Sequence, residues 1–219
     1  MKIDFSFMEV VAKPSVTTFA GKALLDLTQA MDRSAIHTFG WPIAPVIYSG
    51  DLQPKPVTDG IEARVDEPGH RDYWTLKRSG EFYFIGELFE NNRMPDYVFL
   101  DTRTNRIAES FLRVGKMYSL LGVPDDETVY FMVKHGNIKG KILGAGSPAR
   151  IFPIQRKSNV DEVKTEFSIP LKGMVDIESL KNNVYIAVRD LAEMFDMFNP
   201  DKSSFSDPIV EAFVAGRII

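Results

Sequence analysis

The sequence predicts an α+β fold, an antiparallel sheet with amphipathic helices packed on one face. Three observations carry that expectation. Segments of period-two alternation come in groups, a segment of helical period follows each group, and Gly- and Pro-bearing turns separate them. Strands that come in runs before each helix make antiparallel sheet, whereas strict βαβ alternation would make a parallel one.

Ile3, Phe5 and Phe7 alternate, which predicts a strand or extended arm over Lys2–Ala12. Pro14 and Ser15 break it. Val16, Phe19, Ala20, Ala23, Leu24, Leu27, Ala30 and Met31 then recur at helical spacing, so a helix over about 16–34 is expected, with Ser15 as N-cap. Residues 41–59 form a Pro- and Gly-rich connection. A short strand at Val46–Ser49 fits there, and Pro54 and Pro56 keep the chain extended. Gly60–Glu67, Asp72–Arg78 and Glu81–Glu90 read as three antiparallel strands, the last two joined by the turn Ser79-Gly80. Tyr97–Asp101 is a fourth strand. It leads into a helix whose Ile107, Phe111, Val114, Tyr118 and Leu121 make one apolar stripe, closed by Gly122.

Thr128–Lys134, Gly140–Leu143 and Val160–Ile169 are the next strands. After Asp176 a long helix places Ile177, Leu180, Val184, Val188, Leu191, Phe195 and Phe198 on one face, until Asn199-Pro200 stops it. The tail DPIVEAFVAGRII reads as a short closing helix. One α+β domain is expected over 1–219, divided as 1–40, 41–59, 60–122 and 123–219. The last two stretches admit a reading as degenerate β-β-β-α halves, although no residue-level similarity links them.

With 219 residues and 44% apolar content, the chain has enough material for a buried core. The absence of cysteine excludes a disulfide scaffold, a Cys-ligated zinc site and a cysteine nucleophile. The first residues include acids and lack the apolar core of a signal peptide. No apolar run reaches the ~18 residues of a membrane span. A cytoplasmic protein without a membrane partner is expected.

Charge is unevenly spread. Thr128–Val160 contains no Asp or Glu but holds Lys134, Lys139, Lys141, Arg150, Arg156 and Lys157. With the chain at −4 overall, this run at +6 leaves the rest at −10. An anionic partner would read that run first.

Within the run, HGNIKGKILGAGSPAR (135–150) looks like a phosphate loop. Its spacing disqualifies it. Three residues, not four, separate Gly136 from Gly140, and Ile142 stands where a magnesium-binding hydroxyl belongs. Gly144-Ala-Gly146-Ser-Pro148 lacks the third glycine of a dinucleotide loop. A hairpin fits better, with 135–140 as its turn, because Gly and Asn tolerate positive φ.

His37, His70 and His135 lie far apart with no metal-ligand spacing, so each is expected to be an isolated surface or hydrogen-bonded histidine, and no metal site is assigned. Asp96 with Glu162 and Lys164 could form a carboxylate–lysine nuclease trio, since two carboxylates hold Mg²⁺ while a lysine polarises phosphate. Glu162 and Lys164 are equally ordinary charges on one strand face. Ser147 lacks a nucleophile elbow because Pro148 follows it. Tyr73, Trp74, Phe82, Tyr83 and Phe84 sit on adjacent strands. They make either an aromatic platform for single-stranded nucleic acid or, as we favour, one core face with the other packing a helix or a partner subunit.

Several strings carry a resemblance: AIHTFGWPIA (35–44), PKPVTDGIEARV (54–65), DYWTLKRSGEFYFIGELFENNR (72–93), FLDTRTNRIAESFLRVGKMYSLLGV (99–123), KHGNIKGKILGAGSPAR (134–150) and FVAGR (213–217). Together they resemble the C-terminal region of bacterial Schlafen-like AlbA-type DNA-binding proteins, often labelled ATP-binding. In that family the label belongs to an N-terminal AlbA-type domain. Only about 34 residues precede the similar strings here, too few for that domain. The resemblance therefore implies an accessory domain with no assigned active-site residues.

The leading expectation is a non-catalytic binding or regulatory module, working without a cofactor and nucleic-acid-related through its basic residues. A metal-dependent nuclease or nucleotide hydrolase using Asp96, Glu162 and Lys164 is one alternative. A structural homo-oligomerisation domain is the other.

Overall fold

A computed structural model describes residues 5–38, 40–67, 70–88 and 90–218. Its centre is a seven-stranded sheet in the order β2-β3-β4-β5-β1-β7-β9, every neighbouring pair antiparallel. The strands are β1 (Phe7–Pro14), β2 (Lys55–Val57), β3 (Gly60–Glu67), β4 (His70–Lys77), β5 (Phe82–Glu87), β7 (Thr128–Gly136) and β9 (Glu162–Pro170). A separate parallel pair joins β6 (Tyr97–Phe99) to β8 (Ile142–Gly144). The helices are α1 (Leu24–Arg33), α2 (Glu90–Arg93), α3 (Leu100–Leu120), α4 (Ile177–Glu193) and α5 (Asp207–Val214). The expected α+β class and its antiparallel sheet are what the chain adopts.

Alternation decides which strand face is inward. Met8, Val10, Trp74, Phe84, Phe131 and Phe167 point to the helices and are buried. Glu9, Tyr73, Tyr83, Lys134, Lys164 and Glu166 occupy the other face, which no helix covers among the described residues. The aromatic strands thus divide as favoured for the core face. Tyr73 and Tyr83 lie 6.2 Å apart on the outer face, where Tyr73 donates to Glu62 at 2.8 Å.

The N-terminal segment is an interior strand, holding β5 on one side and β7 on the other. Residues 1–4 of the expected strand lie outside the described residues. The expected helix over 16–34 is shorter, because its first half is bonded elsewhere. Ser15 N–H donates to the Thr128 carbonyl, Val16 and Thr17 N–H to the Glu127 carboxylate, and Phe19 N–H to the Arg78 carbonyl. Phe19 is buried near Tyr118 by this docking. Ser15 caps nothing. Asp26 instead reaches back to the Ala23 N–H at 3.2 Å.

No strand forms at Val46–Ser49. The Pro-rich connection supplies β2 instead, whose Pro56 is tolerated because β2 is an edge. The Ser79-Gly80 hairpin forms, closed by Lys77 N–H donating to the Glu81 carbonyl at 2.9 Å. The fourth strand ends at Phe99, and helix starts at Leu100.

The hairpin expected at 135–140 does not form. The turn is real, with Asn137 and Gly140 at φ of 55° and 76°. Both flanks of β7 are already taken by β1 and β9, so β8 leaves the sheet and pairs with β6.

Helix α3 carries the expected stripe of Ile107, Phe111, Val114 and Tyr118, all buried. Its other face is buried as well, because α1, α4 and α5 pack around it. Asp101, Arg103, Glu109 and Arg113 are therefore enclosed. Asp176 caps α4, accepting from Ser179 N–H at 2.9 Å. The helix ends at Glu193, before the expected Asn199-Pro200 stop, and Asp196 and Met197 then take φ of 52° and 56°.

Candidate functional site

The glycine-bearing loop after β8 does hold an anion, and the anion is the chain's own. Gly146 and Ser147 N–H donate to the Asp101 carboxylate at 2.8 and 2.9 Å. Thr102 N–H donates to it at 2.8 Å, so the carboxylate sits at the N-terminus of α3, where the helix dipole favours it. The donors a phosphate would need are spent on Asp101.

Two buried polar clusters flank α3. On the inner sheet face one cross-strand row contains Asp72, Gly86, Met8 and His135. Three strand spacings of about 4.8 Å separate Asp72 from His135 by about 14 Å, so each anchors its own cluster.

At the His135 end, Arg103 is fully buried. It donates to Glu90 at 2.8 Å, to the Phe7 carbonyl at 3.0 Å and to the Ser6 hydroxyl at 3.2 Å. It also lies 3.0 Å from His135 Nδ1. A guanidinium can only donate, so Nδ1 accepts and the imidazole proton sits on Nε2. Burial, with the Arg103 charge, lowers the His135 pKa well below the ordinary histidine value and keeps the ring neutral. His135 is thus a hydrogen-bonded core histidine, which is the outcome expected of it.

At the Asp72 end, Trp41 Nε1 donates to Asp72 at 3.2 Å, and His70 stacks on the Trp41 ring at 4.9 Å. Arg106 donates to the Trp41 carbonyl at 2.8 Å and to Glu109 at 2.6 Å, and Glu109 accepts from Ile43 N–H at 2.7 Å. Burial raises the Asp72 pKa to about 7, against the opposing pull of Arg106. The cleft there is only about 30 Å³. Ligand sites occupy about 300–1,000 Å³, so this one has room for ordered water rather than a substrate. Both clusters pin β1 and the 41–44 connection to α3. Arg113 extends the same work, donating to the Met31 and Ala44 carbonyls at 2.9 and 2.6 Å.

The six basic residues do not share one face. Lys134 lies on the outer sheet face and pairs with Glu9 at 2.6 Å and with Glu162 at 3.8 Å. Lys141 donates to the Pro95 carbonyl, and burial and Arg103 lower its pKa. Of the other four, Arg150 and Arg156 meet one aromatic cluster, and Lys139 and Lys157 lie on neighbouring backbone segments. The 141–143 and 156–158 backbones pair, with Leu143 N–H donating to the Arg156 carbonyl at 2.9 Å and Ser158 N–H to the Lys141 carbonyl at 3.0 Å. Gly140 N–H donates to the Ser158 carbonyl at 2.7 Å, which sets the segments that carry Lys139 and Lys157, both exposed, side by side.

Arg156 lies 4.5 Å over the Phe198 ring, and Arg150 lies 6.0 Å from that of Phe205. Phe152 meets Phe198 edge-on at 5.6 Å. Ile151, Ile154 and Met197 stand exposed around them, at 82%, 60% and 88%. This arginine–aromatic patch is the candidate site.

Glu162 and Lys164 stand on the outer face of β9. Glu162 reaches Lys134, and Lys164 pairs with Glu166 at 3.0 Å. Asp96 is exposed beside the β6–β8 pair and acts on Lys141. Among the described residues, no three His, Asp or Glu side chains are grouped to hold a metal ion.

Sequence reading missed the aromatic half of the patch. By spacing Phe198 falls on the α4 stripe, and nothing in local spacing links Phe152 to Phe198 or Phe205. The buried charges of α3 were missed because charged positions opposite an apolar stripe read as a solvent face. No protein-family model matches the chain, and neither a curated protein nor a solved structure gives a match.

Proposed function

We propose that this chain is a non-catalytic binding or regulatory module that contacts nucleic acid through Lys139, Arg150, Arg156 and Lys157. The observation that carries the reading is the stacking of Arg156 on Phe198, with Arg150 beside Phe205. Arg156 donates one N–H to the Ile154 carbonyl at 3.2 Å. A guanidinium stacked on a ring can turn its remaining edge N–H groups to phosphate oxygens, and neighbouring apolar and aromatic side chains can take an unstacked base. Lys134 and Lys141 are committed within the chain and contribute little. The resemblance to the C-terminal region of Schlafen-like AlbA-type proteins supports the accessory-module part of this reading alone, since the DNA-binding label of that family belongs to another domain.

Fluorescence anisotropy with labelled single-stranded RNA, single-stranded DNA and duplex DNA, across a salt series, tests it. Four phosphate contacts predict a slope of about −3 in log affinity against log salt on a single strand. Arg150→Ala with Arg156→Ala should weaken binding at least tenfold, while Lys134→Ala leaves it unchanged. No binding of any of the three probes at low salt would overturn the reading, as would an equal effect of Lys134→Ala.

A further inference from the structure

The two edges of the main sheet are built differently. β2 is three residues long and contains Pro56, so it offers little to another strand. β9 is nine residues long and pairs with β7 along its whole length. Its only proline is Pro170, at the end. Among the described residues no strand pairs with its other side. A long regular edge presents a row of backbone donors and acceptors that a further strand can satisfy.

The side chains of β9 select that strand. Glu162, Lys164, Glu166 and Ser168 are exposed on the outer face, and Val163, Thr165, Phe167 and Ile169 point inward. A second copy of β9, antiparallel and centred on Thr165, opposes Lys164 to Glu166 twice, once on each side of the two-fold axis. The same register opposes Val163 to Phe167 and Thr165 to itself. Opposite charges and apolar pairs directly across an antiparallel ladder are favourable, and like charges there are not. Centring on Lys164 opposes that lysine to itself and Glu162 to Glu166. Centring on Glu166 opposes that carboxylate to itself. Centring on Val163 opposes Glu162 to Lys164 but overlaps only residues 162–164 of the strand, so the Thr165 register is the one that joins charge complementarity to a ladder over residues 162–168.

The strand is held ready for it. Thr165 donates to Asp190 of α4 at 2.8 Å, and Tyr130 of β7 donates to Glu166 at 2.6 Å. Lys164 and Glu166 are each about half exposed and lie 3.0 Å apart within one chain, so the same two groups can exchange partners across the axis.

We infer that β9 is a self-association edge, joining the sheets of two copies into one through an antiparallel β9–β9 pair centred on Thr165. Lys164 and Glu166 set the register. The contact is independent of the nucleic-acid reading, because none of its residues belongs to the arginine–aromatic patch.

Sedimentation velocity of the full chain at about 1–100 µM tests it. The wild-type protein should show a concentration-dependent dimer. Lys164→Glu alone, or Glu166→Lys alone, places like charges at both symmetric contacts and should weaken the dimer at least tenfold. An equimolar mixture of the two variants should restore it, because the introduced carboxylate of one chain then faces the introduced ammonium of the other. That restoration cannot come from a variant that has merely unfolded. A wild-type monomer throughout the range would overturn the inference. So would a dimer indifferent to both substitutions, or a mixture no tighter than the separate variants.

Discussion

Replacing Asp72 with Asn should stabilise the protein far more at pH 8 than at pH 5. The carboxyl is buried on the inner face of β4 under Trp41, and burial raises its pKa from 3.8 to about 7. The fold therefore prefers the protonated form. For a carboxyl whose folded pKa lies above the unfolded one, stability is greatest below the unfolded value. It falls as pH rises from about 4 to about 7 and stays low above that. At about 1.4 kcal/mol per pH unit, the cost of Asp72 approaches ~4 kcal/mol at pH 8 and is near ~1.5 kcal/mol at pH 5. Asparagine has the shape of the neutral acid and keeps an oxygen for the Trp41 Nε1 donor, so it removes that cost without opening a cavity. The gain from Asp72→Asn should then be ~2–3 kcal/mol larger at pH 8 than at pH 5. Urea unfolding followed by tryptophan fluorescence reads this as a midpoint shift larger by about 1 M at the higher pH. A shift of equal size at both pH values, or a loss of stability at pH 8, would show that Asp72 is ionised in the fold and that the argument from burial is wrong.

Two further outcomes test the remaining buried groups. Asp101→Ala removes the acceptor shared by Gly146 and Ser147 N–H. Hydrogen exchange at those two amides should speed up at least tenfold, with a stability loss of ~2–3 kcal/mol; unchanged protection would mean that the loop is held by something else. Arg103→Met leaves Glu90 buried without its partner and should cost ~3–5 kcal/mol in chemical denaturation. Adding Glu90→Gln should recover a large part of that loss. No recovery would show that the bonds from Arg103 to Ser6 and Phe7, rather than the ion pair, hold β1 in place.

Much of the site was legible only as charge. Lys139, Arg150, Arg156 and Lys157 stand out in a run without acids, but the run is not free of acids in space. Glu9 and Glu162 come to Lys134, and Asp196 accepts from the Lys157 backbone at 3.1 Å. The aromatic partners of the arginines come from distant positions whose spacing carries no mark of the meeting. Likewise, spacing argued against a phosphate loop at 144–148 but gave no sign that the Gly146 and Ser147 N–H groups would hold Asp101.

By itself the sequence determined the elements whose causes are local. The alternation of β3, β4, β5 and β9, the Ser79-Gly80 turn, the stripe of α3 and the Asp176 cap of α4 all depend on residues within a few positions of one another, and periodicity and capping record such dependence directly. The tertiary structure decided which strand pairs with which, so that β1 lies between β5 and β7 and β8 leaves the sheet. It also decided that a charged helix face would be interior. Alternating strands carry no label for their partners, and a charge reads as solvent-facing until another part of the chain closes over it and supplies the opposite charge.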